Sequence, residues 1–232
     1  MKKILLLAIL GAVCAPAFAQ KIIDKKLPYE SGKTVNLNLR FGDSIQVRYW
    51  DKPEVSVHMS VKINQNKLNE AFMVTSNTTS DEIILKTDID KEKIKEGKGE
   101  DCPGQKSTWR TDDGKNSYYV CSEINYQVTL PRQAVLKLET INGNIDIQGA
   151  TAAVAAKTIS GFVDMTWPKS KGANVAVKTI TGEVYSDLDI DFGDKKQKNP
   201  IVGYLLEGKF NGGGPEVKLE SISNNVYLRK KD

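Results

Sequence analysis

Histidine is nearly absent: His58 is the only one in 232 residues, and cysteine occurs three times. That scarcity excludes the usual Cys/His zinc sites. It leaves a triad with one candidate base and no Gly-x-Ser-x-Gly elbow beside it, so His58 reads as a solvent-facing strand residue. A surplus of one charge is missing too: 33 Lys and Arg face 29 Asp and Glu, a formal net charge of +4. So near a balance gives no electrostatic footprint for nucleic acid or a polybasic membrane contact. No apolar run reaches the ~20 residues of a membrane-spanning helix. Helical periodicity is scarce as well; only residues 66–73 resemble a short helix.

The first residues have the layout of a secretory signal. Lys2 and Lys3 precede an apolar stretch over residues 4–13, and Ala17-Phe18-Ala19 is an A-x-A cleavage site before Gln20. The expectation is a signal peptide, 1–19, cleaved between Ala19 and Gln20. The mature protein is then extracytoplasmic: periplasmic, on the outer surface or secreted. Cleavage removes two lysines and lowers the charge from +4 to +2. Cys14 leaves with the signal, because Gly11 and Val13 make a poor lipobox. Cys102 and Cys121 remain, and an oxidising compartment makes a disulfide between them the default. It would close a loop of roughly 18 residues and contribute about 3 kcal/mol.

Strand patterns fill the rest. Val35, Leu37 and Leu39 alternate with polar residues, as do Ile45, Val47 and Tyr49, then Val55, Val57, Met59, Val61 and Ile63. A phrase then recurs: Glu139-Thr140-Ile141-Asn142-Gly143, Lys157-Thr158-Ile159-Ser160-Gly161, Lys178-Thr179-Ile180-Thr181-Gly182, and a worn copy, Glu220-Ser221-Ile222-Ser223-Asn224. The turn positions Gly143, Gly161, Gly182 and Asn224 are spaced 18, 21 and 42 apart. A missing copy near Gly203 would restore the period, and a unit of about 20 residues suits a solenoid. The alternative is an array of β-hairpins in a sandwich, since Asn142-Gly143 is a strong two-residue turn. That alternative exposes Ile141, Ile159, Ile180 and Ile222. A solenoid corner would turn them inward. The predicted fold is therefore all-β: one elongated domain, 20–232, of short strands stacked as a β-solenoid or β-helix. A charged, Gly-rich insertion over about 88–116 is pinned by Cys102.

The stretch Tyr126-Gln127-Val128-Thr129-Leu130-Pro131, followed by Leu136-Lys137-Leu138-Glu139-Thr140-Ile141-Asn142-Gly143-Asn144-Ile145, resembles the bacterial "putative adhesin" domain of unknown function. That family has tandem T-x-x-G-[DN]-[IV] repeats and a relative in the auto-transporter adhesin head, or GIN, domain. The segment Gly182-Glu183-Val184-Tyr185-Ser186-Asp187-Leu188-Asp189-Ile190 and the later Asn211-Gly212-Gly213-Gly214-Pro215 are similar to its envelope members in the Bacteroidota. The resemblance is clearest over residues 118–232 and fainter over 33–85. It implies a β-helical, extracytoplasmic, non-catalytic protein, and it offers no catalytic residue to carry over. The chain departs from the pattern at Ser223-Asn224-Asn225 and in the insertion.

Two groups stand out as candidate sites. Trp109 and Arg110 lie inside the disulfide loop with Tyr118 further along, and these are residue types that binding hot spots favour. They form a candidate patch for a glycan or protein surface; the competing reading is a loop anchor. Asp187, Asp189 and Asp191, with Asp194 beyond, offer oxygen ligands to a hard cation. An EF-hand counted from Asp187 would need Gly and Glu where Phe192 and Lys198 stand, so a solvated face competes. No metal or cofactor is expected. The functional expectation is a non-catalytic, adhesin-like binding or scaffolding protein of the bacterial cell envelope, with an unknown glycan or protein ligand. The alternatives are a β-helical carbohydrate-active enzyme and an envelope structural protein with no external ligand.

Overall fold

The computed structural model describes residues 19–104, 109–112, 117–193 and 203–232. Residues 1–18 of the expected signal peptide, 1–19, therefore lie outside the described residues, as does Asp194. The strands are β1 (Lys21–Pro28), β2 (Thr34–Leu39), β3 (Phe41–Trp50), β4 (Glu54–Ile63), β5 (Phe72–Thr78) and β6 (Glu82–Ile89). Next come β7 (Trp109–Asp112), β8 (Ser117–Val120), β9 (Ser122–Pro131), β10 (Val135–Ile147), β11 (Val154–Ser160) and β12 (Val163–Pro168). Last are β13 (Ala173–Thr179), β14 (Val184–Ser186), β15 (Ile190–Asp191), β16 (Tyr204–Phe210), β17 (Glu216–Ser221) and β18 (Val226–Lys231). No α-helix occurs among the described residues; 66–73 holds a turn and the 3-10 segment Asn69–Ala71.

Sixteen strands form one sheet that does not close into a barrel, and β7 and β8 make a separate hairpin. The long strand β10 belongs to two arms of that sheet. In the first arm the order is β5-β6-β2-β10-β11-β17-β13-β16-β15. Its centre, from β6 to β13, is parallel throughout, and β5 and β16 flank it antiparallel. The second arm runs β1-β4-β9-β3-β10-β12-β18-β14, parallel from β9 to β14. Five segments, 34–50, 135–147, 154–168, 173–186 and 216–231, each give a strand to both arms.

Period-2 patterning explains the core. Leu136, Leu138, Val154, Ala156, Val217 and Leu219 point inward from the first arm, and Ile145, Ile147, Val163, Met165, Val226 and Leu228 from the second. All join one hydrophobic cluster, so the arms close on each other through these side chains. Neighbouring copies of the repeat pair with each other in parallel, and the two halves of one copy do not pair as a hairpin at Asn142-Gly143.

Two expectations are corrected, and the order of the stack departs from that of the chain. The stack order is 34–50, 135–147, 154–168, 216–231, 173–186, so the last segment of the chain inserts between the two before it. No missing copy is present at Gly203; β16 follows it and runs back antiparallel along β13. At the corners the isoleucines do not turn inward: Ile159 is 39% exposed and Ile180 37%. The preceding hydroxyl residue is buried instead, at Thr140, Thr158, Thr179 and Ser221. The reason is hydrogen bonding. A tight corner leaves carbonyls facing the interior, where an unpaired one is costly. Thr158 Oγ1 donates to Gly143 O at 3.0 Å, Ser221 Oγ to Gly161 O at 2.7 Å, and Thr179 Oγ1 to Asn224 O at 2.7 Å. These three hydroxyls serve the neighbouring corner in the stack, whereas Thr140 Oγ1 donates to Asn142 O of its own corner at 2.5 Å. In segment 34–50 the matching position is Leu39, which has no hydroxyl. The Phe41 carbonyl at that segment's corner accepts from the Tyr126 hydroxyl at 2.7 Å.

The turn glycines are there for proximity. A Cβ on Gly161 would stand 2.1 Å from Gly143 O, and one on Gly182 2.2 Å from Asn224 O. Gly143 also takes φ +130°, a left-handed conformation that favours glycine. Asn224 needs no such tolerance, since its φ is not positive; its Oδ1 accepts the Asn225 N–H at 2.8 Å.

Candidate functional site

The stack presents two outward faces, and they differ in chemistry. On the first arm, one register column reads Glu139, Lys157, Glu220, Lys178. The signs alternate, and Lys157 Nζ sits 3.4 Å from Glu220 Oε1. The adjacent column reads Lys137, Ala155, Lys218, Ala176, so its lysines are separated by alanines. In the first of these columns every charge thus stands beside one of opposite sign.

On the second arm, the central column reads His58, Gln127, Gln46, Asp146, Asp164, Tyr227, Tyr185. Its two aspartates are both engaged: Arg48 meets Asp146 at 2.7 Å, and Arg229 Nε meets the Asp164 oxygens at 2.8 and 3.0 Å. At the β1 end, Gln20, Gln46, His58, Asn125 and Gln127 border a recess of about 450 Å³. His58 is a half-exposed strand residue there, with Nδ1 2.7 Å from Asp24 Oδ1. At the β14 end the column becomes aromatic. Tyr185 and Tyr227 stack with centroids 5.2 Å apart and planes 10° apart, and Phe162 meets Tyr227 edge-on at 6.3 Å. This surface carries amides, paired carboxylates and oriented rings on hydrogen-bonded strands, parallel from β9 to β14. It is suited to holding a ligand by hydrogen bonds and stacking. Sequence reading did not single it out. The signal was present: the third residue after each turn position is Asp146, Asp164, Tyr185 or Tyr227, all of one column.

The disulfide between Cys102 and Cys121 is formed. The insertion it closes starts after β6, and its first part is ordered against the stack. Ile94 is buried. Buried Asn64 donates to Tyr119 O at 2.8 Å and accepts the Cys121 N–H at 3.0 Å. Beside them Lys67 pairs with the buried Asp101 and, with the Lys98 N–H, holds its carboxyl below the usual range. Trp109 and Arg110 lie on β7, opposite Val120 and Tyr119 of β8; Tyr118, opposite Thr111, is half-buried. The side chains of Trp109 and Arg110 lie outside the described residues.

The acidic stretch is only partly strand. β14 ends at Ser186, Leu188 is buried, and Asp187, Asp189 and Asp191 are exposed. Asp187 Oδ1 accepts the Lys230 N–H, and Asp191 Oδ1 the Gly193 N–H at 2.8 Å. Among the described residues, no three His, Cys, Asp or Glu side chains group as metal ligands. Two further recesses lie at this end of the stack. One of about 580 Å³ is bordered by Asp191, Phe192, Glu207, Lys209 and Glu216. An apolar one of about 290 Å³ lies among Val177, Val184, Leu188, Ile190, Phe192 and Leu228. Among the described residues no helix is long and apolar enough to cross a membrane.

Compared with known proteins, the chain matches no family model and no curated protein. Its fold is similar to the crystal structure of a putative cell adhesion protein from Clostridium sporogenes, with a TM-score of 0.53 and 14% identity, covering 92% of this chain and 100% of that one. A putative adhesin from Bacteroides fragilis aligns over 92% of this chain and 98% of its own at a TM-score of 0.30 and 10% identity. A putative lipid binding protein from Parabacteroides distasonis aligns over 91% and 97% at 0.23 and 8%. The first likeness shows a shared fold. The other two are too distant to bear on this chain.

Proposed function

We propose that this protein is a non-catalytic, adhesin-like binding protein of the bacterial cell envelope, and that its parallel stack is a short β-solenoid displaying a ligand surface outside the cytoplasm. The observation that carries the proposal is the outer face of the second arm, where amide, hydroxyl and aromatic side chains stand in register on rigid strands. Such a face offers contacts without requiring movement, so little is lost to reorganisation on binding. The disulfide supports an oxidising compartment, and the signal-like residues 1–19 support export. The shared fold with a protein named for cell adhesion points the same way.

The test has two parts. Purified mature protein is incubated with isolated envelopes and with surface polysaccharide, and both saturable binding and product formation are followed. Saturable binding without turnover is expected; cleavage of a bound polysaccharide would replace this reading with the enzymatic one. Protease treatment of intact cells beside a lysed control then locates the protein. Degradation on intact cells supports surface display, and protection until lysis turns the reading towards a periplasmic scaffold.

A further inference from the structure

The aromatic end of the second arm supports a more specific statement, which rests on the binding function proposed above. Tyr227 of β18 is held from several sides. The Arg229 guanidinium lies 4.8 Å from its ring centroid, Asn225 Nδ2 donates to its hydroxyl at 2.9 Å, and Phe162 abuts it edge-on. Tyr185 stacks on it from β14, and the Tyr185 hydroxyl donates to the Glu183 carboxylate. Among the described residues β14 pairs with β18 and with no other strand, so Tyr185 stands at the edge of the arm. Tyr227 covers one face of its ring. The residue is nevertheless 46% exposed, so the other face looks out past the end of the stack. An exposed ring whose orientation is already fixed loses little entropy when a ligand lies on it.

We infer that the free face of Tyr185 is a stacking platform for a neutral pyranosyl glycan. A hexopyranose presents a face of C–H groups carrying slight positive charge, and these complement the electron-rich face of a phenol ring. Its hydroxyls are donors, and the exposed Glu183 carboxylate, which meets the Tyr185 hydroxyl, offers an acceptor beside the ring. The same carboxylate selects by charge. A uronate, sialate or phosphate group brought onto the ring would face it, and like-charge juxtaposition excludes wrong partners. A cationic peptide would also find an electron-rich ring face beside a carboxylate, so an oligolysine is titrated alongside the sugars, and tighter binding of it than of every neutral hexasaccharide overturns the inference.

The experiment is calorimetric titration of the mature protein with neutral hexasaccharides of gluco, manno and galacto configuration, and with an oligogalacturonate as acidic counterpart. At least one neutral hexasaccharide is expected to bind. Tyr185→Ala should weaken it by about tenfold or more, as loss of a binding hot spot does. Tyr185→Phe, which keeps the ring, should stay within about threefold by the same arithmetic. Melting curves for the variants confirm that the stack is intact. An unchanged affinity in Tyr185→Ala, or equal affinity for the oligogalacturonate, overturns the inference. If no neutral hexasaccharide binds while the protein still adheres to isolated envelopes, the Tyr185 platform is wrong and the binding function stands. If neither binds, both fall.

Discussion

The two outer faces of the stack share one set of strands and are used differently. On the first arm, opposite charges alternate along one column; on the second, the column is mostly amides and rings, and its two aspartates each pair with an arginine of the next strand. In chain order the column on the first arm would read Glu139, Lys157, Lys178, Glu220, with two lysines side by side. In stack order β17 lies between β11 and β13, and the column alternates in sign. Opposite charges across strands contribute roughly 0.2–1 kcal/mol a pair, and like charges oppose pairing by similar amounts. The first face therefore helps specify which strand lies beside which. On the second face the pairs Arg48–Asp146 and Arg229–Asp164 join neighbouring strands, and at the β14 edge Tyr185 keeps an exposed ring.

Both faces depend on the corners between them, so the largest expected effect lies there. Thr158→Val keeps the shape of the side chain and leaves the Gly143 carbonyl without its buried donor. A loss of about 1–3 kcal/mol is expected, read by denaturant unfolding. Ile159→Lys, one residue away and facing solvent, should change stability by less than about 0.5 kcal/mol. If the two variants exchange these outcomes, the assignment of inside and outside at the corner is wrong.

The charge column can be broken next. Lys157→Glu places a carboxylate between Glu139 and Glu220, with an expected cost of up to about 1 kcal/mol at low salt. Because Glu139 and Lys157 are half-exposed, much of that cost should disappear at 1 M salt, where the Debye length is about 3 Å. A cost that persists at high salt would show that Lys157 contributes by packing, and the ordering argument would lose its support.

These contrasts show what was readable in the sequence. All-β structure followed from period-2 alternation, and the Cys102–Cys121 pairing from compartment and count. The turn positions were legible because a Cβ at Gly161 or Gly182 would strike the next corner, which forces recurrence of a small residue. Two features were not read. An apolar residue at a corner was taken for an inward one, although the corner carbonyls need a hydroxyl more than the core needs another methyl; Thr158, not Ile159, is buried for that reason. The spatial order was lost because repeat spacing assumes that chain order equals stack order. Glu139, Lys157, Lys178 and Glu220 carried the correction in their signs, but only once strand pairing is considered as an electrostatic choice.

The smallest expected effect sharpens the comparison most. Tyr185 is a half-exposed ring on an edge strand, and its stack on Tyr227 is the main contact it would lose on truncation. An aromatic pair is worth about 0.5–1.5 kcal/mol, and exposure places this one at the lower end. Tyr185→Ala should therefore lower stability by about 0.5 kcal/mol, a shift of no more than ~2 °C in melting temperature for a domain of this size. Lys157→Glu, on the opposite face, should cost more while leaving envelope binding untouched. The two variants form a crossed pair: one loses stability and keeps binding, the other keeps stability and loses binding. If Tyr185→Ala instead melts many degrees lower, its ring is a structural cap on the β14 edge. The second face would then be occupied, like the first, in holding the stack together.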